Sequence, residues 1–371
     1  MNKIIKLVIG IIVVGLVIWV ITSVTANKNS EARPIIKIGV TLPLTGDVAM
    51  LGQSSKQALL LAQEQLSQNT KYNYELIFED DQFKPPTGAS TANKLINIDN
   101  VSALFSFGSP VGNAVNPIAE KTKIPHINFF ASDTHVADGD YNFVHYTPPY
   151  KDAEVFIREL NRRGIKTVLF FGQQDNPGVS AIINAFETAI KNTDIQILST
   201  QKFNTGTRDF RTMIAKVKNL KPDIYVLEAT TPELEILTKQ LREASVQTPV
   251  TTMEAFEFSD QLSLFEGMWY VNAADPQPWF IDLFVAKFGS TPKFGSANGY
   301  DSFNLIVETV EKIGDGKTVP TREAIKNTLS NIKDFDGALG NNLSIDENGL
   351  VISNAVVRMI KDGKPVTMFV L

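Results

Sequence analysis

From residue 36 onward, apolar positions fall into short alternating runs separated by polar turns and helical stretches. Ile36, Ile38, Val40 and Leu42 alternate with Lys37, Gly39 and Thr41, a period of two that predicts a strand entering a core. Pro43 ends the ladder, and Thr45, Gly46 and Asp47 form turns. Ser54 or Ser55 is a candidate cap for a helix whose apolar positions Ala58, Leu59, Leu61, Ala62 and Leu66 keep a spacing near 3.6. The unit repeats, with strands over 74–81, 101–107 and 124–130 separated by a helix over 87–98 and another through Glu120. Two prolines in YTPPYK at 146–151 interrupt the pattern, and the same grammar then restarts. It predicts helices over 152–163, 179–191, 208–219 and 232–244, and strands over 166–172, 195–200, 223–227, 249–253 and 268–273. Amphipathic helices over 279–288 and 300–313 follow, and a hairpin over 351–370 turns at Lys361-Asp362-Gly363-Lys364. Strands alternating with helices at this spacing predict an α/β fold with parallel sheets covered on both faces.

At 371 residues the chain exceeds one ordinary domain. The breaks at 146–151, at Asp275-Pro276-Gln277-Pro278 and at Phe335-Asp336-Gly337-Ala338-Leu339-Gly340 divide it into two lobes. Residues 1–34 form a leader and linker, residues 35–147 and 274–338 one lobe, and residues 148–273 and 339–371 the other. In an open parallel sheet, ligands bind beyond the carboxyl ends of the strands. That rule points to the turn at 44–53 and to Ser109, Ser132 and Glu254, each at the carboxyl end of a predicted strand and all placed to face one cleft.

Composition narrows the function. Hydrophobic residues make up 43% and charged residues 20%, which is globular, and a formal charge of -5 argues against nucleic acid as a partner. The absence of cysteine excludes disulfides, thiolate metal sites, a cysteine nucleophile and a lipid-modified cysteine anchor. Near the start, Lys3 and Lys6 precede the charge-free run LVIGIIVVGLVIWVITSVT at 7–25. This run is long for a signal peptide and about long enough to cross a bilayer, with Trp19 near the outer interface. The reading it favours is one membrane-anchoring helix with the remainder on the extracytoplasmic face; the alternative is a signal cleaved after Ala26.

Candidate chemistry changes the picture little. Adjacent strand residues such as Asp80 and Asp81 point to opposite faces, so their carboxylates do not converge on a cation. His126, His135 and His145 share one segment without the spacing of a zinc motif. Asp133, Asp138 and Asp140 match only part of a calcium loop, and an Asx-rich turn is the simpler reading. Neither G-x-G-x-x-G, a phosphate-binding P-loop, G-x-S-x-G nor H-E-x-x-H occurs, so no cofactor, metal or hydrolytic apparatus is expected. The aromatic pairs Phe129-Phe130, Phe170-Phe171 and Trp269-Tyr270 read as strand core.

The opening IKIGVTLPLTGDVAMLGQSSKQALLLA, the segment DDQFKPPTGASTANKLI, the loops FGSP and FFASDT, and the strand FEGMWY together resemble type I periplasmic binding proteins. Within that group the chain looks most like the branched-chain amino acid (leucine/isoleucine/valine) binding proteins of ABC importers, from residue 36 to the C-terminus. The resemblance implies two Rossmann-like lobes joined by three hinge crossings, a ligand trapped between them and an ABC permease as partner. It also implies site roles. Ser109 and Ser132 would hold an α-carboxylate, with backbone groups at Phe107 and at Phe130 or Ala131 beside them, and Glu254 would receive the α-ammonium. Three positions depart from the family's usual aromatics: Leu51 in the first turn, Asn176 ahead of Pro177-Gly178, and Thr230 with Thr231 after the 223–227 strand. The expected function is therefore a non-catalytic solute receptor for an amino acid or close analogue. The alternatives are a sensory ligand-binding domain for an amino acid or amide, and a membrane-anchored α/β enzyme.

Overall fold

A computed structural model describes residues 33–66 and 69–368. The first lobe is built on a six-stranded sheet of β1 (Ile35–Leu42), β2 (Asn73–Asp80), β3 (Ala103–Ser106), β4 (His126–Asn128), β5 (Asn142–His145) and β13 (Leu350–Val351). Its order is β13-β5-β4-β3-β1-β2, and every pairing is parallel. The second lobe carries a parallel sheet of β6 (Thr167–Gln173), β7 (Gln196–Phe203), β8 (Ile224–Glu228) and β9 (Val250–Thr251), in the order β7-β6-β8-β9. A parallel bridge from Met253 to Val271 continues that sheet into β10 (Trp269–Ala273). The latter pairs antiparallel with β14 (Ala355–Lys361), which forms the expected hairpin with β15 (Lys364–Thr367). The second lobe is thus mixed rather than all parallel.

Strand period decides which helices cover which face. Along β6, Leu169 and Phe171 pack with Tyr225 and Leu227 in one core, while Val168 and Phe170 pack with Ile224 and Val226 in the other. In the first lobe, Ile36, Ile38 and Val40 enter a core with α1 (Ala49–Glu64) and α9 (Ser296–Ile313). Leu104 faces the opposite core, against α2 (Pro85–Asn97) and α3 (Ser109–Thr122). Prolines start several helices where an N–H is not needed: Pro85 and Pro86 in α2, Pro149 in α4 (Pro149–Arg162), and Pro177 in α5 (Pro177–Ala189). Ser54 and Ser55 do not cap α1, because it begins at Ala49. They are buried inside it, where Ser54 Oγ accepts from Lys293 N (2.9 Å) and Ser296 Oγ (2.8 Å).

The chain passes between lobes at 146–148, 274–277 and 352–354, and these segments lie side by side. Thr147 Oγ1 and Ser353 Oγ are 2.7 Å apart, and Ala274 N donates to Asn354 O at 2.7 Å. The third passage differs from the sequence expectation. Residues 335–340 stay in the first lobe, in the hairpin of β11 (Phe335–Gly337) and β12 (Gly340–Leu343), and the chain then supplies β13 to that lobe's sheet. A two-residue strand completing an exposed sheet edge leaves too short a pattern to read. Residues 339–351 therefore belong with the first lobe, not the second. No helix among the described residues is long and apolar enough to cross a membrane, and the apolar run 7–25 lies outside them.

Candidate ligand site between the lobes

Loops after β2, β3 and β4 meet loops after β6, β8 and β9 across the cleft. On the first-lobe side, Asn128 joins two loops: its Nδ2 donates to Ser106 Oγ (2.8 Å) and Gly108 O (3.1 Å), and its Oδ1 accepts from Phe130 N (2.9 Å). Phe130 stacks on Phe107 at 4.2 Å and meets Phe294, Tyr146 and, from the second lobe, Phe258. Gly108 has a left-handed φ of 79°, and a Cβ there would lie 2.3 Å from the Phe83 ring, so only glycine fits. Phe83 itself is held by the acid pair. Asp80 accepts from Gln82 N and fixes the first turn through Leu44 N (2.9 Å), while Asp81, on the other face, accepts from Thr41 Oγ1 (2.9 Å) and Phe83 N (2.7 Å). The pair is structural, and burial raises the Asp81 carboxyl to about 7.

On the second-lobe side, Glu254 follows β9 with its N–H donated to Val271 O (2.7 Å) and a backbone φ of 76°. A non-glycine residue in that region is strained, and such strain persists where surrounding structure fixes it. Glu254 is 2% exposed, and its Oε2 accepts from Ser132 Oγ across the cleft at 2.8 Å. Among the described residues its Oε1 has no hydrogen-bond partner; nor do Tyr146 OH or either oxygen of Asp152, all buried. Glu228, at the end of β8, is also buried and accepts from Met253 N at 2.6 Å. Burial pushes the Glu254 carboxyl up to about 7, opposed by the hydrogen bond from Ser132 and by the nearness of Tyr146 and Asp152. Burial, with Glu254 and Glu228 nearby, holds Asp152 well above the usual carboxylate range, and burial chiefly does the same to Glu228. None of the described residues lining the cavity is basic. The arrangement is a set of buried acids facing each other without a cation, which is costly unless they are protonated or paired.

The cavity measures about 30 Å³, space for about two or three waters at ~10–15 Å³ each. Anything as large as an amino acid therefore enters by separation of the lobes. Gly178 brings the two lobes close, since a Cβ there would lie 2.8 Å from Ser109 Oγ. Of the residues singled out from sequence, Ser109, Phe130, Ser132, Asn176, Thr230 and Glu254 line this cavity. Leu51, Phe107 and Ala131 do not: Leu51 and Ala131 are core residues, and Phe107 lies behind Phe130. The 44–53 turn also contributes nothing, since Asp80 and the contact of Gly52 with Pro43 O fold it against β2. Sequence reasoning missed Phe83, Phe258 and Glu228. Glu228 ends a strand just as Glu254 follows one, so the same rule pointed to it; Phe83 depends on a left-handed turn that no pattern marks.

The histidines and surface acids form no second centre. His126 is buried between Ser106 Oγ and Asn142 Oδ1, each at 2.7 Å, and burial lowers it to about 4. His145 has neither ring nitrogen bonded among the described residues, and burial lowers it likewise to about 4. His135 is a surface residue paired to Asp133, which caps the 3-10 turn Thr134–Ala137. A larger groove of about 620 Å³ runs past Asp138, Asp140 and Asp346, yet no group of His, Asp or Glu among the described residues is placed to hold a metal.

The sequence profile of a family described as periplasmic binding protein matches residues 35–365. A leucine-, isoleucine-, valine-, threonine-, and alanine-binding protein of Pseudomonas aeruginosa is 25% identical over 340 residues, 86% of this chain and 88% of that one. The fold superposes on a leucine-binding protein of Thermotoga maritima with a TM-score of 0.82 at 23% identity, covering 91% of this chain and 98% of that one. It superposes on a solute-binding protein of an ABC transporter from R. palustris, in complex with benzoate, with a TM-score of 0.80 at 18% identity, covering 90% and 95%.

Proposed function

This chain belongs to the periplasmic binding protein family, and from that premise we propose that it is the extracytoplasmic receptor of an ABC importer for an α-amino acid or close analogue. The observation that carries the proposal is the Glu254 carboxylate, buried at the lobe interface with one oxygen on Ser132 and the other unpartnered. In this reading the lobes part, the ligand's ammonium binds Glu254, and Ser132, released from Glu254, joins Ser109 in holding the ligand's carboxylate beside the loop backbone. The ammonium supplies the cation that the buried acids lack. The same acids speak against an anionic aromatic such as the benzoate held by the R. palustris protein, whose carboxylate would meet Glu254 and Glu228 without a counter-charge. The family binds solutes rather than transforming them, and the cavity suits capture followed by lobe closure. Membrane attachment through residues 7–25 and delivery to a permease complete the reading.

A thermal-shift screen of the purified chain against the α-amino acids tests it. Ligand at about 100 times its dissociation constant stabilises by roughly 2.7 kcal/mol, and Glu254→Gln abolishes the shift. If no amino acid moves the melting temperature, the assignment fails.

A further inference from the structure

Glu228 is a second buried acid in the cavity, held by Met253 N–H and the Thr252 side chain, and an α-ammonium bound to Glu254 leaves it without a counter-charge. It stands at the end of β8, 1% exposed, with Met253 N–H on Oε1 and no basic residue among the described lining. Of its neighbours in the wall, Thr230 is also an acceptor. Thr230 gives its hydroxyl proton and its N–H to Gln173 Oε1, both at 3.0 Å, so its hydroxyl has only lone pairs left to offer. Asn176 Oδ1 is used in capping α5, through Gly178 N and Val179 N, so that what it offers the cavity is its Nδ2 donor. A branched aliphatic side chain pressed against this wall would seal a carboxylate and a hydroxyl oxygen against hydrocarbon. A site that buries polar acceptors discriminates strongly against a ligand lacking the matching donor.

We propose that Glu228 selects the ligand's side chain, and that the cavity takes α-amino acids ending in an N–H donor, an amine or amide, in preference to aliphatic ones. The inference rests on the amino acid reading above. Glu254 fixes the α-ammonium, while Glu228 and Thr230 accept from the distal nitrogen. Val179, Ile182, Met253 and Phe258 flank the intervening methylenes.

Calorimetry on the purified full chain with ornithine, glutamine and leucine as probes tests the inference and separates an amine from an amide. Ornithine, glutamine or both are expected to bind at least about 10-fold more tightly than leucine. Glu228→Gln keeps the acceptor for Met253 N–H but cannot ionise when an ammonium arrives; it is expected to weaken ornithine by about 10- to 100-fold and to change leucine by less than about 3-fold. For a glutamine-selective protein, Glu228→Leu replaces it as the diagnostic variant, with glutamine weakened by a similar factor. Leucine binding to wild type as tightly as both polar probes overturns the proposal while leaving the amino acid reading intact. So does a diagnostic variant that melts cooperatively and keeps wild-type affinity for the preferred probe. If none of the three probes binds at about 1 mM and the wider amino acid screen is also blank, the Glu254 reading falls and this inference with it.

Discussion

Ligand binding should release a proton, because Glu254 has to be ionised to receive an ammonium and its surroundings hold it back. The carboxyl is raised from 4.5 to about 7 by burial, and the groups facing it are Ser132, Tyr146, Asp152 and Glu228, with no cation among them. An incoming ammonium favours the carboxylate, so the bound-state pKa lies below the free-state value. Between the two, affinity rises with pH by about tenfold per unit for one proton released. From pH 7 down to pH 5 the loss is therefore about 100-fold, or ~2.7 kcal/mol at ~1.36 kcal/mol per unit. Above about pH 8 the curve flattens as Glu254 is already ionised. Burial raises the neighbouring Asp152 carboxyl as well, and if it too gives up a proton, the slope approaches two, a property of the pair rather than of either acid. Calorimetry in two buffers of different ionisation enthalpy counts the protons directly. Glu254→Gln, which resembles the protonated form at all pH values, should lower affinity at pH 8 by a comparable factor and reduce the slope by one proton. Affinity in the wild-type protein that stays constant from pH 5 to 8 would refute the reasoning.

Stability without ligand carries the opposite sign. An acid whose folded pKa is raised from 4.5 to about 7 favours the folded state below pH 4.5, and that advantage is lost as pH climbs through the interval, by up to about 3 kcal/mol. Denaturant titrations should accordingly find Glu254→Gln more stable than wild type at pH 8 and nearly equal to it at pH 4.5; equal stability at pH 8 would show that Glu254 is not isolated from water. Gly178→Ala places a methyl 2.8 Å from Ser109 Oγ and should hold the lobes apart, read as a larger radius of gyration by small-angle scattering with ligand present and as weaker binding. An unchanged radius would mean that the loops yield locally. Mass spectrometry of the mature N-terminus should show residues 7–25 retained; a start at Asn27 would make the segment a cleaved signal.

Much of this protein is fixed by local pattern. Alternation at Ile36 to Leu42, the prolines opening α2, α4 and α5, and the turn at Asp362-Gly363 depend on backbone preference and on which face is apolar, so the alternating α/β grammar could be read directly. The rule that ligands gather at strand ends brought Ser109, Ser132 and Glu254 forward for the same reason, since strand ends are local features. Tertiary structure alone decided the rest. Ser132 and Glu254 meet only because two lobes close on each other, across a sequence separation of 122. Asp152 and Tyr146 join Glu254 because α4 and the passage that precedes it bring them beside that carboxyl. Likewise β13 joins the first lobe because an edge of that sheet, at β5, accepts its two residues. Burial, and with it every raised carboxyl in the cleft, is a property of what surrounds a side chain in space. The hydrophobic pattern specifies which residues leave water, but which polar residues go with them depends on how the packed lobes meet.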